Sequence, residues 1–270
     1  MPNSTGIQYG SGFRQGLVYA IDQTTGRLKG TSASVPYMGI PLTGGKTWDL
    51  TIPKQRRIFH INADRVGAAD FLPPTEAASA TINTSADNMV LDEVLTGNKK
   101  VIIGDAATIA DLTSQQGFEP LVALLLWQQS LDSVTRLRTW RSFLIPRAKA
   151  IPMLSGFADK EVDSSYDVMM TPSSTNIFGV NLSDAIDGST DAQLFRAMSK
   201  GRPAIGAWLG DGYTVDFTFP AGYTPTIDVT SIAVYVNGAA VSAGLTKTTT
   251  KVTFNVAPLA NDDVDIFWQY

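Results

Sequence analysis

Histidine occurs once in this 270-residue chain, at His60, and cysteine does not occur at all. Thiolate nucleophiles, disulfide frameworks and Cys/His zinc sites are therefore impossible. A Ser-His-Asp site would have to use His60, within "RRIFHINAD", and no Gly-x-Ser-x-Gly elbow presents a serine to it. The plainer reading makes His60 a strand residue, with Phe59 and Ile61 facing the other way.

Two further stretches invite a chemical reading. "GIPLTGGKTW" holds Gly45-Lys46-Thr47, the closing half of a phosphate-binding loop, but the first glycine of that pattern belongs at position 40, where the chain has Ile40. The loop must also feed a helix, whereas "TWDLTIP" alternates like a strand and meets Pro53. A Gly-Gly hairpin turn accounts for the same residues. In "ANDDVDIFW", Asp262, Asp263 and Asp265 lack the turn glycine and distal glutamate of a helix-loop-helix calcium site. A solvated hairpin turn is expected there, with a loop-bound calcium as the sharper alternative. None of the 25 acidic residues is singled out as a catalytic pair. Trp268 and Tyr270 share a period of two with Ile266, which suits a core or interface better than a sugar platform. Asn-x-Ser/Thr triplets at Asn3, Asn83 and Asn181 matter only on a secretory route. No catalytic, cofactor-binding or metal-ligating set is expected, and no cofactor.

Composition bounds the elements that would position such residues. An apolar content of 44 % suffices for a substantial core. No run of about 18 apolar residues occurs, and "MPNSTGIQYGSG" has neither a basic n-region nor an apolar h-region, so no membrane span or Sec-type signal is expected. Net charge is −4, and it is unevenly placed: residues 1 to 205 hold 19 basic and 19 acidic residues, whereas residues 206 to 270 hold two basic, Lys247 and Lys251, and six acidic. That balance argues against gripping nucleic acid through phosphate contacts.

Strand signals dominate. "GLVYAIDQTTGRLKG" reads as a hairpin turning through Asp22 to Gly26. "KTWDLTI" and "RRIFHINA" are strands on either side of Pro53. Ser85 or Asp87 would cap a short helix running through Leu95 and ended by Gly97, with a strand from Val101 to Ile103. "FEPLVALLLWQQSLDS" carries Phe118, Leu121, Val122, Leu125 and Leu126 at helical spacing and is expected to form the longest helix, packed on a sheet. "LRTWRSFLIPRAKAIPML" and "YDVMMTPSSTNIFGVNLSD" read as long strands, the first with a partly basic face through Arg141, Arg147 and Lys149. Gly206, Gly210 and Gly212 mark an expected linker. Beyond it five strand candidates, with an Asn237-Gly238 type I′ turn, make a small antiparallel sandwich or barrel. The expected organisation is thus mainly β, with residues 1–205 forming a sandwich or barrel domain with one flanking helix and an N-terminal arm, and residues 206–270 a C-terminal β-module.

The hairpin "GLVYAIDQTTGRLKG", the helix "FEPLVALLLWQQSLD" between strand pairs, the long strands of residues 137 to 151 and 166 to 182, and the closing "VYVNGAAV" and "VTFNVAPLANDDVDIFWQY" together resemble the major tail tube proteins of long-tailed bacteriophages. The last pattern is similar to the Ig-like or fibre-like modules of phage virion proteins. The resemblance is architectural and covers most of the chain. It implies a virion structural protein, made in the host cytoplasm, whose homohexameric rings stack into a tube, contact other tail proteins and conduct DNA without specific binding or membrane insertion. The N-terminal arm would order against a neighbouring ring and the C-terminal module would project outward. A second expectation is a fibre- or adhesin-like protein whose last module binds a host-surface glycan or receptor, for which Tyr213, Tyr223 and Tyr235 would have to form one patch.

Overall fold

The structure, a computed structural model, describes residues 8–42, 45–51, 56–62, 65–72, 79–84, 89–97, 101–103, 106–108, 120–132, 137–153, 164–171, 195–225 and 229–270. The chain is mainly β. In its first part the elements are β1 (Gln8–Ala20), β2 (Ile40–Leu42), β3 (Gly45–Thr51), β4 (Arg56–Asn62), β5 (Arg65–Leu72), β6 (Ser79–Thr84), α1 (Met89–Thr96), β7 (Val101–Ile103), β8 (Ala106–Thr108), β9 (Val122–Asp132), β10 (Arg138–Met153), β11 (Ser164–Met170) and β12 (Phe195–Ser199). One antiparallel sheet runs in the order β2-β1-β9-β10-β11-β6-β3, and β12 adds to β10. Only residues 43 and 44 separate β2 from β3, yet β2 pairs with β1 and β3 with β6, at opposite ends of that path. Because β3 also lies beside β1, the sheet curls round on itself into a barrel-like wall.

Three expectations change here. The longest helix expected from the sequence is instead strand β9, paired with β1 on one side and β10 on the other. Val122 to Trp127 are all buried, alternately toward two different cores. A strand covered on both faces reads as a continuous apolar run, and such a run cannot be told from a buried helix by periodicity. The Gly-Gly hairpin is not formed either, since β2 and β3 do not pair with each other. The basic face of β10 is also broken. Its register slips between Ile145 and Ala148, around Pro146, which has no N–H for the ladder. Ile145 and Ala148 consequently both face the barrel interior, and Arg141 falls on the opposite face from Arg147 and Lys149.

The expected short helix is present as α1. Leu91 and Leu95, one turn apart, pack among Val18, Leu42, Ile82 and Val168 inside the barrel. Gly97 ends it at φ 71°, donating its N–H to the Glu93 carbonyl at 3.0 Å. Both proposed N-caps, Ser85 and Asp87, lie outside the described residues, as do positions 172 to 182 of the second long strand. The N-terminal arm already joins β1 from Gln8 onward.

The remaining strands are β13 (Pro203–Leu209), β14 (Asp216–Thr218), β15 (Ala233–Val236), β16 (Ala239–Ala240), β17 (Leu245–Lys247), β18 (Lys251–Phe254) and β19 (Asp263–Gln269). They form two sheets, β13-β19-β15-β16 and β14-β18-β17, closed over a core that includes Trp208, Phe217, Phe254, Ile266 and Trp268. This is the antiparallel sandwich expected at the C-terminus. Asn237 and Gly238 have φ of 51° and 83°, the two positive values a type I′ turn requires.

No linker occurs at Gly206. That residue lies within β13, and the boundary drawn between residues 205 and 206 cuts this strand. A Cβ on Gly206 would come within 2.8 Å of the Trp208 ring, so its smallness serves packing rather than flexibility. The chain crosses from the barrel to the sandwich further upstream, where Arg202 exchanges two 2.9 Å backbone hydrogen bonds with Tyr270.

Candidate functional site

The residues singled out for chemistry are not brought together. His60 is a residue of β4, in the two-stranded ribbon β4–β5, at a register shift between Phe59 and Ile61. Gly45-Lys46-Thr47 opens β3, a strand paired with β6 and not a loop feeding a helix. Asn83 lies in β6, while Asn3 and Asn181 fall outside the described residues. Among the described residues no group of three or more His, Cys, Asp or Glu side chains is placed to hold a metal. No helix among them is long and apolar enough to cross a membrane.

The three aspartates near the C-terminus have three different fates. Asp262 is a turn residue as expected, accepting the Leu259 N–H at 2.7 Å and the Asn237 amide at 2.6 Å. Asp263 is half-buried and lies 3.5 Å from the Arg27 guanidinium. Asp265 departs altogether from the solvated-turn expectation: it is fully buried, and neither of its carboxyl oxygens has a hydrogen-bond partner.

The setting of Asp265 is a seam between barrel and sandwich, built from both apolar side chains and polar contacts. The outer face of β1 and β9 offers Leu17, Tyr19, Ala123, Leu125 and Trp127, and β13 offers Ile205 and Ala207. Local turn chemistry brings the next segment across. Asp22 accepts the Thr24 and Thr25 N–H groups at 2.9 and 2.7 Å, Gly26 takes φ 70°, and Ile21 bridges to Leu28, which is the hairpin turn expected there. Gln23 then clamps the start of β9, with both ends of its amide bonded to the Leu121 backbone at 2.7 and 3.0 Å.

Residues 27 to 37 continue as a strap along the free edge of β13. Tyr37 and Ala207 exchange backbone bonds of 2.8 and 3.0 Å, and the Leu209 N–H reaches the Ser32 carbonyl at 3.0 Å. Gly30 sits so close that a Cβ there would fall 2.1 Å from the Trp208 carbonyl carbon. The Tyr19 hydroxyl donates to the Ile205 carbonyl at 3.2 Å, and its ring meets Tyr37 edge-on at 6.1 Å. At the far end Arg202 lies over both Trp140 and Tyr270, at 5.1 and 5.3 Å. The C-terminal module is therefore joined to the barrel through backbone, rings and a shared apolar cluster.

Electrostatics separate the sandwich's aspartates sharply. Exposed Asp211 is held down to about 2, first by the Thr214 hydroxyl and then by the Thr214 and Tyr213 N–H groups. Asp216, also exposed, is lowered by Lys251 and Thr253, which contact it at 2.6 Å. Burial pushes Asp265 well up, the neighbouring Asp263 adds to this, and Arg27 opposes it. Burial likewise raises the Tyr19, Tyr37 and Tyr235 phenols, which keeps them neutral. Nothing in the alternation of "DDVDIFW" distinguished Asp265 from a solvated residue; the apolar neighbours that would have flagged it come from β13 and β15.

The three tyrosines of the glycan-binding alternative lie in separate settings. Tyr213 is exposed, Tyr223 meets Tyr270 at a tilt with centroids 5.0 Å apart, and Tyr235 packs into the seam. No protein-family model matches the chain, and no curated protein does.

Proposed function

We propose that this chain is a structural virion protein, the subunit of a long-tailed phage's tail tube, polymerising as stacked, hexameric rings that form a conduit for DNA. The observation that carries the reading is the ribbon β4–β5. Among the described residues it is a sheet of two strands that joins neither the barrel sheet nor the sandwich. Two-stranded ribbons are marginal in water and gain stability by burying a face against something else. Its sequence, "RRIFHIN" paired with "RVGAADFL", supplies the apolar residues for that purpose, and a neighbouring copy of the chain is the surface an assembling subunit always has available.

The architecture adds support. Of the features on which the tail-tube resemblance rests, the leading hairpin turn, the long strand β10 and the closing strands are present, with one packed helix among the described residues. The flanking helix is α1, not residues 118 to 133. The charge distribution is compatible with a conduit, because a tube that passes DNA must not grip phosphates, and residues 1 to 205 carry no net positive charge, with 19 basic and 19 acidic residues. The glycan-binding alternative has less behind it, given where its three tyrosines lie. Negative-stain microscopy of the purified full chain, over a range of concentrations, is expected to reveal rings or tubes. A strictly monomeric species under all conditions, together with absence from virions, contradicts the proposal.

A further inference from the structure

Strand β19 presents different residues to its two sides. Val264, Ile266 and Trp268 fill the sandwich core, while Phe267 packs into the seam. Asp265 shares the Phe267 face by the period of two. Its cross-strand neighbours are Ala207 on β13 and Tyr235 on β15, both seam residues. A fully buried carboxyl with no hydrogen-bond partner is thus set into the contact between two modules. An ionised carboxylate in such a place is costly, and a neutral one much less so.

The charged groups that act there are few. Arg27 approaches from the strap and is engaged by Asp263 at 3.5 Å. Asp263 stands on the same strand, and Lys29 of the strap, Asp22 of the preceding turn and Asp262 act on Asp263 in turn. Tyr19, Tyr37 and Tyr235 line the seam as neutral phenols. Among the described residues Arg27 is the one cation that acts on Asp265, and it is already paired with Asp263.

We infer that the joint between barrel and sandwich is proton-operated: it closes on a protonated Asp265 and loosens when that carboxyl ionises. This inference does not rest on the assembly reading. The sign follows from linkage. Burial raises the folded-state pKa of Asp265 above its ordinary value, so above about pH 4 an opened joint releases the proton while a closed joint keeps it. Opening then becomes about tenfold more favourable per pH unit until the raised pKa is passed, and is level beyond it.

Amide hydrogen exchange on the full chain, corrected for intrinsic rates, reads the joint directly. The Tyr37, Ala207 and Leu209 N–H groups bond across the seam, whereas those of Gly206 and Trp208 point the other way along the extended strand, toward β19. Protection of the three seam amides is expected to fall about tenfold per pH unit through this window, ahead of Gly206 and Trp208. Asp265→Asn should abolish the slope. Arg27→Gln removes an opposing cation and should move the upper end of the window to higher pH, and Asp263→Asn should move it to lower pH. A slope that persists in Asp265→Asn, no slope in the unmodified chain, or shifts of the same sign in the two neighbouring variants would overturn the inference. Should Asp265→Asn not fold, the opposite shifts of the other two decide.

Discussion

The two faces of β9 are buried to the same degree and are built differently. Toward the barrel interior, Val122, Leu124 and Leu126 meet other aliphatic side chains and the helix residues Leu91 and Leu95. Toward the seam, Ala123, Leu125 and Trp127 meet Tyr19, Ile205 and Ala207, beside a glycine in backbone contact and an unpartnered carboxyl. The interior is held by bulk burial, which tolerates changes of shape. The seam is held by fit and by a few polar contacts, which makes it specific and easier to undo.

Substitutions of graded size can break or sharpen this contrast. Leu124→Ala removes interior bulk at a fully buried site and should lower stability by about 2–5 kcal/mol, measured by denaturant unfolding, whereas volume-conserving Leu124→Met should cost less than about 1.5 kcal/mol. Gly30→Ala adds one methyl group where the obstacle is the Trp208 backbone, which cannot swing away. It should cost about 1–3 kcal/mol and expose the seam to protease at the strap while α1 stays folded. An equal tolerance of Gly30→Ala and Leu124→Met would erase the distinction. Tyr19→Phe deletes only the hydroxyl bonded to the Ile205 carbonyl and should cost about 0.5–1.5 kcal/mol, visible as a small fall in midpoint with an unchanged slope.

Where residues answer to local chemistry, the sequence was a good guide. The Asn237-Gly238 turn, the Asp22 hairpin turn, α1 with its Gly97 stop and the strands of the sandwich after β13 are each dictated by neighbours within a few positions. Where burial comes from distant elements, it was not. β9 loses its alternation because both its faces are covered, and β13 looks like a linker because Gly206 is small to admit two tryptophan rings. Pro146 did carry a readable signal, since a proline inside a central strand implies a bulge, and following it would have corrected the facing of Arg147 and Lys149. The seam itself could not be foreseen. Its parts come from residues 17 to 37, 121 to 127, 140 to 144, 205 to 209, 235 and 263 to 267, and only the fold brings them together.

The account's central claim is that β9 is one wall shared by two cores, so that barrel and sandwich unfold together when the joint is closed. Scanning calorimetry of the full chain near pH 5 tests this most directly. A single transition is predicted, with calorimetric and van't Hoff enthalpies in agreement. Two resolved transitions, with the sandwich melting at the same temperature whether or not Leu124 is replaced by alanine, would contradict it.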